Sequence, residues 1–339
     1  MAIDAAPLFV TLITGADARL RARLMRTLGA DRWVAGGRAH DSDDPMGTVS
    51  ENLADVVIAA AQGGARGHLA LSLDATVDPL EACLVMQQRF LAQHPSQAPV
   101  HLRDVVTVVH PDELQPLVDH QRLSPIAELE ALADRVECAT IVVIAQAGAR
   151  RAADVAHALN PRAAIVAVDD VAAVTRIRLR ELVRPPVGDL AIAQGWMLAL
   201  NAPSLSAIDD PCSRFVFRDP RPFHPVRLAE VVASCLVPEV VGTIWRSRGL
   251  VRLASRVSRV GSWSTVGATL SLDPTSMTSV DVDAPSGQEI AFVGDHLDAE
   301  RLADCLGSAL LSDDELIAGP MEWQTYADPF PVWNLDHTH

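Results

Sequence analysis

Through the first two hundred residues, short β-branched runs alternate with longer stretches whose apolar residues recur at helical spacing. Leu8–Thr14, His68–Leu73, Val105–Val109, Ala139–Ala145 and Ala164–Val168 predict strands. Ala16–Leu28, Glu51–Gln62, Pro79–Ala92, Pro125–Val136 and Arg150–Leu159 predict helices between them. Strand, helix, strand at this spacing implies βαβ units and a parallel sheet covered on both faces. Asp78 before Pro79 has the form of a capped helix start, because proline's missing N–H is not needed in the first turn. Beyond residue 211 the pattern changes. Phe215–Phe217, Val241–Trp245, Leu250–Ala254, Thr269–Leu272 and Glu289–Val293 predict a mostly antiparallel sheet, with helices over Val226–Cys235 and Asp298–Leu306 covering one side.

The 339 residues exceed what one hydrophobic core usually holds. Aromatics place the division: residues 1–210 hold Phe9, Trp33, Phe90 and Trp196, and the remaining ten lie beyond. The turn-rich stretch from Asn201 to Pro211 suits a boundary, so domains are expected at 1–208 and 209–339. No apolar run reaches the ~18 residues of a membrane helix. The start, Met1 to Pro7, carries Asp4 and no basic residue, which does not suit a signal peptide. A cytoplasmic protein is expected.

Charge narrows the chemistry. The net charge is −15, and every one of the 28 basic residues is arginine. That balance argues against broad nucleic-acid binding, which rests on neutralising phosphates. It favours small ligands or a basic protein partner. Without lysine there is no Schiff base and no phosphate-loop ammonium. The five cysteines, at 83, 138, 212, 235 and 305, form no C-x-x-C pair, so a conventional zinc knuckle is excluded and reduced thiols are expected. Residues 214–259 hold nine arginines against three acids, and 260–339 one arginine against fourteen acids. Two readings follow: charges paired across one sheet, or two exposed faces of opposite sign.

Arg221-Pro-Phe-His-Pro225 precedes an amphipathic helix, Trp245-Arg-Ser-Arg-Gly249 enters a strand, and Trp263 follows a polar turn. The chain then runs through Leu310-Leu-Ser-Asp-Asp-Glu315, Trp323, and Asp328-Pro-Phe-Pro331 with Trp333. This ordered set resembles the C-terminal domain of the CobW-like family, phosphate-loop GTPases that include zinc metallochaperones. The resemblance implies a parallel-sheet, phosphate-loop-NTPase-like first domain and a smaller α+β second domain.

The family's functional motifs do not carry over. Its phosphate loop falls on Thr14-Gly-Ala-Asp-Ala-Arg-Leu-Arg-Ala-Arg23, where Gly15 alone survives, the lysine is absent and Asp17 would repel phosphate; Arg19 or Arg21 is the only charge that could stand in. Its C-x-C-C motif falls near Asp44-Pro-Met-Gly47, which has no cysteine. His40, Asp41, Asp43 and Asp44 there read as hard ligands or as an acidic loop. The Glu-x-Ser-Gly stretch falls on Ser72–Ala75, and the guanine reader on Ala145–Ala149, where no carboxylate stands. The expectation is a pseudo-GTPase with no catalytic residue and no cofactor.

Other groups have plainer readings. His110 adjoins a helix start at Pro111-Asp-Glu113. His224 reads as a turn-fixing hydrogen bonder or a ligand contact, and His337 with His339 as a loose terminal pair. The chain further resembles a degenerate actinobacterial branch of the family. What that resemblance implies is an adaptor that brings a hibernation factor, a basic ribosome-associated protein, to the ribosome under zinc starvation. The alternatives are a zinc-homeostasis protein that binds zinc through another ligand set, and a residual GTP-dependent enzyme. Candidate partner-binding residues are Arg221, Phe223, His224, Trp245, Arg246, Trp263, Asp298, Glu300, Asp304, Trp323 and Trp333.

Overall fold

The computed structural model describes residues 7–27, 32–35, 45–75, 77–92, 100–119, 125–169, 212–267, 269–282 and 284–333. The chain divides into two compact units: Met1–Gln115 with Ala127–Gly195, and Pro116–Ile126 with Trp196–His339. The boundary expected near residue 208 lies outside the described residues.

The first unit runs β1 (Leu8–Thr14), α1 (Ala18–Thr27), β2 (Arg32–Ala35), α2 (Pro45–Gln62), β3 (Gly67–Ser72), α3 (Pro79–Leu91), β4 (Val100–Val109), α4 (Pro111–Val118), α5 (Ile126–Glu137), β5 (Ile141–Ile144), α6 (Arg150–Leu159) and β6 (Ala164–Ala167), except that the end of α4 from Pro116 and the first residue of α5 group with the second unit. Its six strands are parallel in the order β2-β3-β1-β4-β5-β6. Strand β5 and the Val105–Val109 half of β4 are almost wholly apolar, and β1 largely so, as expected where helices cover both faces. β4 begins earlier than predicted, at Val100, and its first half carries His101, Arg103 and Asp104. One face packs Leu12, Leu53, Val57, Leu71, Met86 and Val105; the other packs Ile13, Leu24, Val106, Ile141 and Val143. The Asp78 carboxylate accepts from Leu80 N–H at 2.7 Å, so the expected cap of α3 is present. Two elements were not anticipated. β2 is a four-residue edge strand, too short for a periodic signal, and α4 carries Pro116 inside it. Glu113 accepts from His110 N–H at 2.6 Å and closes the start of α4.

In this doubly wound order, β1 lies between β3 and β4. The carboxyl ends of these central strands are where open parallel sheets hold ligands. The loop after β1 therefore occupies the position where a site belongs.

The second unit runs β7 (Cys212–Asp219), α7 (Pro225–Ser234), α8 (Pro238–Val241), β8 (Thr243–Val251), a 3₁₀ turn (Ala254–Arg256), β9 (Arg259–Val266), β10 (Thr269–Thr278), β11 (Gln288–Asp295), α9 (Ala299–Ser308), α10 (Asp313–Ala318) and α11 (Pro320–Trp323). The sheet is antiparallel in the order β10-β9-β8-β11-β7. Leu228 and Val231 of α7 and Leu302 and Leu306 of α9 share one core with Phe217, Phe223, Trp263 and Phe292. The two strands expected at 241–254 are one. β8 passes straight through Gly249, where any Cβ would strike the Glu289 backbone of β11. β9 was missed because Ser262, Ser264 and Thr265 dilute its apolar alternation.

Candidate functional site

At the carboxyl end of β1 the backbone turns through Gly15 at φ +146°, and a Cβ there would collide with the Val108 carbonyl of β4. Helix α1 then starts with Asp17 as its cap. The Asp17 carboxylate accepts from Arg19 N–H at 2.7 Å and from Leu20 N–H at 3.3 Å. Those are the free amides at a helix start that would otherwise face an anion. Arg21, one turn later, is buried and turned inward. Its guanidinium donates to the carbonyls of Gly15 and Ala16, and its Nε to Ser72 Oγ at 3.3 Å.

Arg21 therefore ties the loop after β1 to the end of β3, and its donors are directed at carbonyls rather than at open space. Arg135 of α5 is the neighbouring buried guanidinium; it donates to the Ala75 carbonyl at 3.2 Å. Burial pulls its pKa down, Glu113 and Asp134 oppose that, and Arg21 adds to the lowering. A nucleotide phosphate does not fit this arrangement. The amides face a carboxylate, no lysine is present, and the nearest cation is bound to the loop's own carbonyls.

Two other positions singled out in the sequence make internal hydrogen bonds. In the Ala145–Ala149 turn, Ala147 N–H donates to the Asp169 carboxylate at 3.0 Å. Ser72, where the Glu-x-Ser-Gly stretch falls, accepts from Arg21. His40, Asp41, Asp43 and Asp44 lie outside the described residues, as do His337 and His339. Among the described residues no group of three or more His, Cys, Asp or Glu side chains converges as a metal site. The described cysteines are all free; burial pushes the Cys83 and Cys138 thiols up, which keeps them protonated and inert.

The residues expected to contact a partner separate into two sets. Phe223, Trp245, Arg246 and Trp263 are buried, and this corrects the expectation that they form a surface. Trp263 Nε1 donates to Ser247 Oγ at 2.7 Å inside the core, and Arg246 reaches Ser264 Oγ at 3.1 Å. They are aromatic and polar anchors of the sheet. Arg221 forks onto Asp219 with two bonds of 2.9 Å, and these hydrogen bonds hold the Asp219 carboxyl below its usual range. His224 caps α7, its Nδ1 accepting from Arg227 N–H at 3.5 Å, and its ring stacks on Tyr326 at 4.7 Å. The turn-fixing reading of His224 is the one observed. Asp298, Glu300 and Asp304 are exposed on α9, and Asp298 also caps it, accepting from Arg301 N–H at 3.0 Å. Trp323 and Trp333 are half-buried.

Both of these tryptophans belong to a network the sequence did not reveal. Arg256 donates twice to Asp328, at 2.8 and 3.1 Å, and also to the carbonyls of Phe330 and Pro331. It lies 4.4 Å from the Trp333 ring centroid, and Trp333 Nε1 donates to the Leu272 carbonyl at 2.9 Å. Arg227 holds Glu315 in a second fork, at 2.8 and 2.6 Å, and drops that carboxyl's pKa to about 2. The arginine-rich and acid-rich stretches thus pair with each other, through partners 72 and 88 positions apart that no local spacing could signal.

Residues 212–310 match the family model described as the cobalamin synthesis protein cobW C-terminal domain. Over 182 residues, 46% of this chain, the sequence is 25% identical to the zinc-regulated GTPase metalloprotein activator 1 of Dictyostelium discoideum. Over 165 residues, 42% of the chain, it is 31% identical to a zinc chaperone of Mycobacterium tuberculosis. The match takes in only 38% and 40% of those curated relatives' own lengths. Among solved structures, the Zn(II)-bound YjiA GTPase from E. coli is similar at 15% identity and a TM-score of 0.37, covering 90% of this chain and 99% of that one. The CobW C-terminal domain therefore lies within the second unit, over residues 212–310. No helix among the described residues is long and apolar enough to cross a membrane.

Proposed function

We propose that this chain serves zinc homeostasis without binding or hydrolysing a nucleotide, acting through protein contacts. The observation that carries the nucleotide-free part is the loop after β1, where Asp17 caps the amides and Arg21 bonds the carbonyls. The zinc part is supported by the names of the relatives, a zinc-regulated metalloprotein activator and a zinc chaperone. In this reading zinc is the supply to which the protein responds.

A narrower form of the same reading is the adaptor that delivers a basic hibernation factor to the ribosome. The exposed carboxylates Asp298, Glu300 and Asp304 favour a basic partner of that kind. Both forms need growth under zinc limitation to depend on the protein. A deletion strain should lag when zinc is chelated and recover when zinc is restored. Indifference to zinc in that strain would remove the zinc reading.

A further inference from the structure

Helices α10 and α11 bury none of their own residues, yet they are held firmly. Ser312 and Glu315 form a reciprocal capping box, Arg227 grips Glu315 in a fork, and Trp323 Nε1 donates to the Glu315 carbonyl at 2.5 Å. Gly319, at φ +81°, turns one helix into the next. A helix of this length does not persist in water on its own propensity, so these polar clamps are what order it.

The outward side of this clamped element carries apolar side chains among acids. Asp314, Ile317 and Ala318 share one face at i, i+3, i+4 spacing, and Met321 follows the turn. Ile317 and Met321 are each 84% exposed. Around them Asp313, Asp314 and Glu322 are exposed; among the described residues none forms an ion pair, Asp313 alone acting at a distance on the Arg221 guanidinium. Residues 312–333 contain no arginine, and the other two acids there, Glu315 and Asp328, are matched by Arg227 and Arg256.

We infer that the α10–α11 face is a docking surface for a basic amphipathic peptide segment of another protein. Ile317 and Met321 receive its apolar side, and Asp313, Asp314 and Glu322 pair with its flanking cations. Pre-organisation by the Glu315 clamps lowers the ordering cost of binding, and the exposed acids, Asp314 and Glu322 foremost, select the sign of the partner. The inference concerns the second unit alone and stands whether or not the first unit binds a nucleotide.

The test uses the full chain and a fluorescein-labelled 18-residue Leu/Lys amphipathic peptide, read by fluorescence anisotropy. Saturable binding in the micromolar range is expected, with affinity falling steeply as salt rises. The I317S/M321S variant should bind at least tenfold more weakly at an unchanged melting temperature, since neither side chain is buried. D313N/D314N/E322Q should lose both affinity and salt dependence, and a Leu/Glu peptide of the same pattern should not bind. Undiminished binding by both variants, equal binding of the Leu/Glu peptide, or no binding by the wild type would each overturn the proposal. So would sedimentation showing a dimer that I317S/M321S dissolves, because the occupant would then be a second copy.

Discussion

Two helix starts in this chain use the same pair of groups to opposite ends. At α1, Asp17 covers the amides while Arg21 turns back onto the carbonyls of the same loop. At α10, the Ser312–Glu315 box covers the amides while Arg227 reaches over from α7 to grip the carboxylate. The first arrangement turns both groups onto the loop itself. The second fixes an element that buries nothing and so presents everything. An acid and an arginine can therefore tie a loop to itself or fasten one helix to another. The direction in which the guanidinium points decides which.

The comparison breaks most visibly at Arg256. Arg256→Ala removes the fork to Asp328, two carbonyl contacts and the stacking on Trp333 together. Leaving Asp328 half-buried without its cation should cost about 2–4 kcal/mol. Urea denaturation followed by tryptophan fluorescence should show that loss, and limited proteolysis should cut the segment after Trp323 first. A stability change below ~0.5 kcal/mol would mean this network is ornamental.

Arg21→Met sharpens the other side. If Arg21 closes the loop, the variant strands the Gly15 and Ala16 carbonyls and should lose about 1–3 kcal/mol by urea denaturation. It should gain no nucleotide affinity, because Asp17 still holds the amides. A neutral effect on stability would show that Arg21 fills the loop without holding it.

Glu315 offers a pH test of comparable size. Its carboxyl is lowered from 4.5 to about 2, chiefly by hydrogen bonds from Arg227. A depressed carboxyl stabilises fully above its unfolded value and loses that contribution as pH falls through the folded one. The second unit should therefore lose about 1–3 kcal/mol between roughly pH 4.5 and pH 2. Arg227→Met should flatten that part of the pH profile, as measured by thermal melts across the range.

The smallest effect concerns α9. Neutralising Asp298, Glu300 and Asp304 to Asn, Gln and Asn keeps the Asp298 cap, since asparagine caps nearly as well. Stability should move by less than ~0.5 kcal/mol. The association rate with ribosomes carrying the proposed hibernation factor should fall several-fold at low salt and converge on wild type at high salt. Equal rates at both salts would take α9 out of the partner surface.

How far the sequence could be read follows the same division. The parallel sheet was legible because β5, most of β1 and the Val105–Val109 half of β4 are apolar runs and Asp78-Pro79 is a local cap; the polar first half of β4 hid its true start. The antiparallel half was legible in outline. β9 escaped because its serines break the alternation, and β8 was split in two because Gly249 looks like a turn when it marks a close strand approach. The missing lysine and the presence of Asp17 in the loop after β1 could be read from residue types alone. That Arg21 bonds its own loop could not, since direction is set by packing against Ser72 of a different strand. Four of the candidate partner residues failed for one reason: a large aromatic or an arginine in a β-rich domain looks alike whether it anchors the core or faces solvent. The Arg227–Glu315 and Arg256–Asp328 pairs join residues far apart in sequence, and only the fold brings them within reach.

The central claim is that the position after β1 is closed by the chain's own side chains. Isothermal titration of the wild-type protein with GTP in the presence of magnesium tests it directly. The account predicts no measurable heat of binding up to millimolar nucleotide, and the same result with GDP. A dissociation constant in the low micromolar range would contradict it, for it would require Asp17 and Arg21 to leave the loop they now hold.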